Sequence, residues 1–235
     1  MELFTGKTVI LANGAFPAGD VPLNALRTAR RIICCDGAAD NLLADRPPSP
    51  SQVKGGLATH DRAVSSPSLE PSWIVGDGDS VSSATRARFA DRCRFVAEQD
   101  TNDLTKAFRF CVSQGWRDLI VLGATGNRED HTLGNLSLLA DFAHEADVRA
   151  LTDSGFFTPL IAPAQLESVA GQQVSLIACD GGMRVSAEGL KYPVRELALS
   201  RWWQGTLNEA CGASFNVSFE KGTLLVFQTY EHGEW

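Results

Sequence analysis

The chain has 235 residues, room for one large or two small domains. Its net charge of −7 argues against a polyanion such as DNA as partner, while leaving room for a small phosphate ligand carried with a divalent cation. No apolar run approaches the roughly 18 residues of a membrane-spanning helix, the start MELFTGKTVILANG lacks the marks of a signal peptide, and none of the six cysteines forms a CxxC pair; the expectation is no membrane span, no zinc site, and a reducing, cytoplasmic setting.

In chain order, short runs that are mainly apolar occur at 8–12, 31–35, 73–75, 94–97, 119–122 and 148–151. Such runs suit parallel strands buried on both faces. Helices are expected between them, at 38–45, 83–92, 101–114 and about 132–145. The clearest is 101–114, where Leu104, Ala107, Phe108, Cys111 and Val112 recur at helical spacing. Asp100 or Thr101 can cap its start, and Gly115 sits where a C-terminal cap belongs. On the second long helix Leu133, Leu136, Leu139 and Ala140 form the apolar side. Cys34, Cys111 and Cys179 read as small buried hydrophobes.

Residues 46–70, rich in Pro and Ser, interrupt this pattern and read as a long loop, either a tolerated insertion or a lid. After about 155 the character changes. Strands are expected at 173–178, 214–219 and 224–229, the second alternating strictly between apolar and polar residues, with Pro159 and Pro163 marking a linker. The predicted fold is therefore α/β: a doubly wound, mostly parallel sheet over 1–155, followed by a smaller all-β sandwich domain over 156–235.

Nearly every expected parallel strand exits into Asp, Gly or other polar residues, and ligands bind at the carboxyl ends of such strands. Asn13-Gly14 follows the first, Asp36-Gly37 the second, and Gly76-Asp77-Gly78-Asp79-Ser80 the third. Two carboxylates two residues apart can turn toward one hard cation, although an isolated GDGDS can equally be an acidic surface turn. Glu98-Gln99-Asp100-Thr101-Asn102-Asp103 forms a second acidic cluster, where Asp100 and Asp103 can act as helix caps or face the same cation. Gly123-Ala124-Thr125-Gly126-Asn127-Arg128-Glu129-Asp130-His131 forms a third site. Thr125 offers a hydroxyl, Gly126 a backbone N–H and Arg128 a planar fork for phosphate oxygens. Asp130 can complete a metal shell or cap the next helix, and His131 reads as structural. No GxxxxGK[ST] loop, GxGxxG turn or GxSxG elbow is present.

Together and in this order, GDGDS at 76–80, QDTND at 99–103 and GATGNREDH at 123–131 resemble the thiamine pyrophosphokinase family. The early Asn13-Gly14, the Asp36-Gly37-Ala38 turn, the GLKYP stretch at 189–193 and GTLNE at 205–209 fit as well. The resemblance departs from the family pattern at Asn127, commonly glycine, and at Leu207, commonly serine. Asn127 tolerates a left-handed backbone; Leu207 removes a hydroxyl on the substrate side.

The resemblance implies Mg2+-dependent transfer of pyrophosphate from ATP to the thiamine hydroxyl, giving thiamine diphosphate and AMP, in a homodimer with thiamine bound between subunits. Asp77, Asp79 and Asp100 are the expected Mg2+ ligands, with Asp103 beside them and either Asp100 or Asp77 as proton acceptor. Asn13, Gly14, Asp36, Gly37, Thr125, Gly126, Arg128 and Asp130 are expected around ATP. Thr206, Asn208, Trp202 and Tyr192 are expected at thiamine, with Trp203 a further aromatic that could stack there. The rival readings are a Mg2+-dependent nucleotide hydrolase and a non-catalytic nucleotide-sensing module.

Overall fold

The computed structural model describes residues 2–44 and 69–232. The predicted loop at 46–70 therefore lies outside the described residues, apart from Leu69 and Glu70. In chain order the elements are β1 (Thr8–Leu11), α1 (Asp20–Arg27), β2 (Arg31–Cys35), α2 (Ala38–Ala44), β3 (Trp73–Gly76), α3 (Ser83–Arg88) and β4 (Cys93–Phe95). They continue with α4 (Asp103–Ser113), β5 (Asp118–Leu122), α5 (Glu129–Phe142), β6 (Asp147–Leu151) and β7 (Gly155–Leu160). Then come β8 (Ala164–Glu167), β9 (Gln172–Ala178), β10 (Met183–Glu188), β11 (Val194–Leu199), β12 (Asn208–Glu209), β13 (Ser214–Phe219) and β14 (Leu224–His232).

The first half is doubly wound because its buried strands present alternate residues to two cores. Val9, Leu11, Ile32, Cys34, Ile120 and Leu122 pack on one face with Ala25 and Leu26 of α1 and Leu42 of α2. Ile10, Ile33, Cys35, Leu119 and Val121 pack on the other with Leu104, Phe108 and Cys111 of α4 and Leu139 and Phe142 of α5. Period-2 alternation thus places both sides of each apolar run against helices. Phe108, 1% exposed, stacks on Phe142 at 3.8 Å between ring centroids. Phe108→Ala is expected to cost about 3–5 kcal/mol in a urea unfolding titration; a loss under about 1 kcal/mol would mean this seam is not load-carrying core.

The strands form one ten-stranded sheet, ordered β12-β9-β14-β7-β6-β5-β1-β2-β3-β4, and one four-stranded sheet, ordered β11-β10-β13-β8. The larger sheet continues past residue 155 because β7 pairs antiparallel with β6. The C-terminal strands of that sheet pack face to face on the smaller one: Val174, Leu176, Leu224 and Val226 meet Val185, Phe215, Val217 and Phe219. The predicted sandwich is present, and one of its layers is the far end of the N-terminal sheet. Among the described residues no helix is long and apolar enough to cross a membrane.

Several local expectations are corrected. Pro159 lies inside β7, opposite Leu225 of β14, not in a linker; β6 pairs with β7 only at Phe156 and Phe157, so at Pro159 that flank needs no ladder N–H. The cap of α4 is Asn102, whose side chain accepts from Thr105 N, and not Asp100 or Thr101. Gly115 does follow the end of that helix in the left-handed region, at φ 74°. Helix α5 starts three residues earlier than predicted, at Glu129, and Leu133 on its first turns is 51% exposed rather than core. Cys179 is exposed, at the end of β9, while Cys34 and Cys111 are buried as read. The run at 94–97 yields only a short edge strand.

Candidate active site

Among the parallel strands the order runs outward from β1 in both directions, with β5 and β6 on one side and β2, β3 and β4 on the other. The crevice of an open α/β sheet opens at that reversal, between the exits of β1 and β5. Gly14 N donates to Gly123 O at 2.9 Å and Ala15 N to Thr125 O at 2.9 Å, locking the two exit loops together. A Cβ at Gly14 would lie 2.3 Å from Gly123 O, so only glycine permits this approach. Asn127 takes φ 64°, the left-handed backbone expected of it. Around these loops lies a cleft of about 630 Å³, lined among others by Phe16, Pro17, Leu23, Asn41 and Asn127. Asn13 is tied to the cleft lining, accepting from Asn41 Nδ2 at 2.9 Å.

The acidic side is built on the exits of the neighbouring strands β2 and β3. One carboxylate oxygen from each of Asp36, Asp77 and Asp79 lies within 4.8 Å of the others. Asp36 is fully buried and sits at φ 41°. Its Oδ2 accepts from both the N–H and the hydroxyl of Ser80 at 2.7 Å, while its Oδ1 is buried without a hydrogen-bond partner. Asp77 accepts from Asp79 N and from Gln99 Nε2, each at 3.2 Å. The hydrogen bond from the Asp79 backbone, then that from Gln99, holds its carboxyl below the ordinary range. Asp79 is pushed up, first by the negative charge of Asp77. A converging set of hard oxygens, with one buried oxygen orphaned and two carboxylates in mutual repulsion, fits a hard divalent cation.

Two further groups adjoin this set. Asp103, the first residue of α4, has its Oδ1 buried, and burial followed by the charge of Asp77 raises its carboxyl. Lys106, 5% exposed, reaches between Asp103 Oδ1 at 3.6 Å and Asp77 Oδ2 at 3.9 Å. Lys106 was not singled out from the sequence; the available signal was a lysine one turn after Asp103, beside the apolar positions Ala107 and Phe108 that face the sheet.

The other expected site residues fall elsewhere. Asp100 is exposed and outside the group of converging carboxylates; its backbone N–H donates to Glu98. Asp130 is paired with Arg128 through two hydrogen bonds of 3.1 and 2.5 Å, both side chains being largely exposed; Arg128 holds the cap position of α5, and Asp130, inside the first turn, accepts from His131 N at 3.0 Å. Gly37 N donates to Ser80 Oγ at 3.0 Å, which ties the second exit to the third. Thr125 is half-buried and Gly126 exposed in the β5 exit loop.

In the C-terminal half, Tyr192, Trp202, Trp203 and Leu207 are exposed large apolar side chains. Asn208 is buried, and its amide is engaged with the backbone of Tyr192 on both sides, at 3.1 and 2.9 Å. It therefore shapes this patch from beneath. The Thr206 hydroxyl donates to Trp203 O at 2.8 Å. Leu207 takes φ 62°, an unusual conformation for a branched residue.

The family pattern described as "Thiamin pyrophosphokinase, catalytic domain" matches residues 23–151, and that described as "Thiamin pyrophosphokinase, substrate-binding domain" matches 155–227. The chain is 27% identical over 141 residues to thiamin pyrophosphokinase 1 of Caenorhabditis elegans, covering 55% of this chain and 58% of that protein. It is 27% identical over 139 residues to thiamine pyrophosphokinase 1 of Oryza sativa subsp. japonica, covering 55% of this chain and 50% of that protein. It thus spans only 50–58% of the length of these curated relatives. Its fold is similar to that of thiamin pyrophosphokinase from Candida albicans, with TM-score 0.74, 17% identity and coverage of 98% and 91% of the two chains. It is likewise similar to the Geobacillus thermodenitrificans structure, with TM-score 0.71, 21% identity and coverage of 95% and 97%.

Proposed function

Because the chain belongs to the thiamin pyrophosphokinase family, we propose that it transfers the terminal pyrophosphoryl group of ATP to the hydroxyl of thiamine, releasing AMP. The observation that carries this reading is the convergence of Asp36, Asp77 and Asp79 oxygens within 4.8 Å, on strand exits next to the cleft at the sheet's reversal point. Asp36, Asp77 and Asp79 would hold Mg2+, with Asp103 and Lys106 beside them. Bound there, Mg2+ supplies charge neutralisation on phosphate oxygens and a template for displacement at phosphorus.

The chain's own groups do the rest by positioning and charge. The cleft beside Phe16, Pro17 and Leu23 takes the nucleoside; Asn13 bonds Asn41 of that cleft and stands against Gly37, next to Asp36, which supports a phosphate chain that runs from the cleft to the carboxylates. Lys106 places a buried positive charge against Asp77, which limits carboxylate repulsion when the nucleotide arrives. Thr125 and Gly126 lie in the β5 exit loop that packs against Ala15 of the cleft, which supports a role for them beside the phosphates. Arg128 can grip a phosphate through the Nη1 that its pair with Asp130 leaves free.

The exposed Tyr192, Trp202, Trp203 and Leu207 support acceptor binding in the C-terminal half. They also support a homodimer in which this patch meets a second subunit, with thiamine between the two. The expected setting is cytoplasmic.

The test is AMP formation from ATP, with and without thiamine and with and without Mg2+. AMP that appears only when both are present is the expected result. Absence of thiamine-dependent AMP would overturn the reading, and thiamine-independent phosphate or pyrophosphate release would identify a hydrolase instead.

A further inference from the structure

The two aspartates of the 76–80 turn flank Gly78, and Gly78 is held from outside by Arg86 of α3. We propose that Arg86 is a positioning residue for the metal-binding turn, clamping the Gly78 peptide so that Asp77 and Asp79 stay directed at Asp36. This rests on the reading that those three carboxylates hold a hard divalent cation.

The clamp is built from both ends. Arg86 Nη2 donates to Gly78 O, and its guanidinium lies over the Phe95 ring at 4.7 Å from the centroid. Phe95 ends β4, opposite Gly76 in the parallel register, so the ring that supports Arg86 is fixed to the strand that delivers Asp77. Gly78 takes φ 84°, and a Cβ there would stand 2.8 Å from Arg86 Nη2 and 3.1 Å from Phe95 Cδ1. The turn is thus pressed into a slot made by these two side chains.

Arg86 is itself anchored. Asp40 accepts from Ser82 N and Ser82 Oγ at 2.7 and 2.6 Å and from Thr85 Oγ1 at 2.5 Å, which pins the start of α3 to α2. Partial burial works against the Asp40 charge, but the Ser82 and Thr85 hydrogen bonds prevail and hold its carboxyl below the ordinary range.

At the ends of the turn, Val96 N holds the Gly76 carbonyl at 2.8 Å and Ser80 donates to Asp36, while Asp79 N and Gln99 donate to the Asp77 carboxylate; at the middle, Gly78, the carbonyl is held by Arg86. Among the described residues Arg86 makes no ion pair. Its action therefore falls on the turn's backbone, and this gives the clamp an unusual sign. A positive charge near a cation site opposes binding by Coulomb repulsion. If Arg86 acted through charge alone, removing it would tighten metal binding. If it acts by holding the turn, removing it weakens binding, as loss of an outer partner of a metal ligand does.

The test uses the full chain and Mn2+ alone, with free Mn2+ followed by electron paramagnetic resonance, and Asp77→Asn as the variant that identifies the site. Arg86→Met is expected to weaken Mn2+ affinity by about tenfold, the lower end for loss of such a partner. Arg86→Lys should fall between, because an ammonium can reach the carbonyl but lacks the planar face that stacks on Phe95. Unchanged or tighter binding in Arg86→Met overturns the clamp; should that variant not fold, Arg86→Lys decides, and wild-type affinity there overturns it equally. If wild type shows no Mn2+ site that Asp77→Asn removes, the metal reading and the clamp fall together. If Mn2+ binding behaves as expected but no thiamine-dependent AMP forms, the clamp stands and the proposed transfer fails.

Discussion

Asp77→Asn and Asp36→Asn are each expected to lower turnover by about three orders of magnitude, while Asp100→Asn stays within roughly tenfold of wild type. The contrast follows from where strand order delivers each carboxylate. Asp36 and Asp77 leave adjacent strands, β2 and β3, and their oxygens converge with that of Asp79. Asp100 comes five residues after the end of β4, the edge strand, and lies exposed and outside that group. Several kcal/mol of charge stabilisation in phosphoryl transfer correspond to roughly a thousandfold in rate. The measurement is single-turnover AMP formation at saturating ATP and Mg2+, with far-ultraviolet circular dichroism to verify folding. A severe loss in Asp100→Asn with near-normal Asp36→Asn would restore the ligand set read from the sequence and remove Asp36 from it.

Lys106→Met is expected to lower turnover by about 10²–10³-fold, the size seen when one preorganised donor is removed from a phosphate or oxyanion site. It should also cost roughly 1–3 kcal/mol of stability in metal-free buffer, because Asp77 and Asp103 lose their common cation at a largely dry position. The second effect has a diagnostic sign. If Lys106 neutralises the same carboxylates that a divalent cation would, added Mg2+ should stabilise Lys106→Met more than wild type in a urea titration. Equal stabilisation of both proteins would separate Lys106 from the metal-binding group.

Much of this arrangement was legible in the chain. The apolar runs at 8–12, 31–35, 73–75 and 119–122 appear as β1, β2, β3 and β5 because a strand covered on both faces has no need of alternation. The alternation at 214–219 appears as β13 with burial strictly every second residue. Less was legible where the signal belongs to a partner element. Leu133 satisfies the helical spacing of α5, yet it is exposed, and the buried residues of that helix, Leu139 and Phe142, lie in its second half. Pro159 looks like a breaker until β7 is known to have β14 alone beside it at that point. Asn208 is polar and near the C-terminal aromatics, but its amide is engaged with the backbone of Tyr192.

By itself the sequence determined the parallel strands and most helices of the first half, three strands of the second, the acidic and glycine-rich exits, the family to which the chain belongs, and hence the chemistry to expect. The tertiary structure alone decided which acidic exits converge. It brings oxygens of Asp36, Asp77 and Asp79 together, with Asp100 outside that group, and places Lys106 against Asp77 and Arg86 against Gly78. The physical reason is that carboxylates converge according to the lateral order of strands in the sheet, which hydrogen-bonding between distant segments sets. Spacing along the chain governs only what lies within one strand, one turn or one helix.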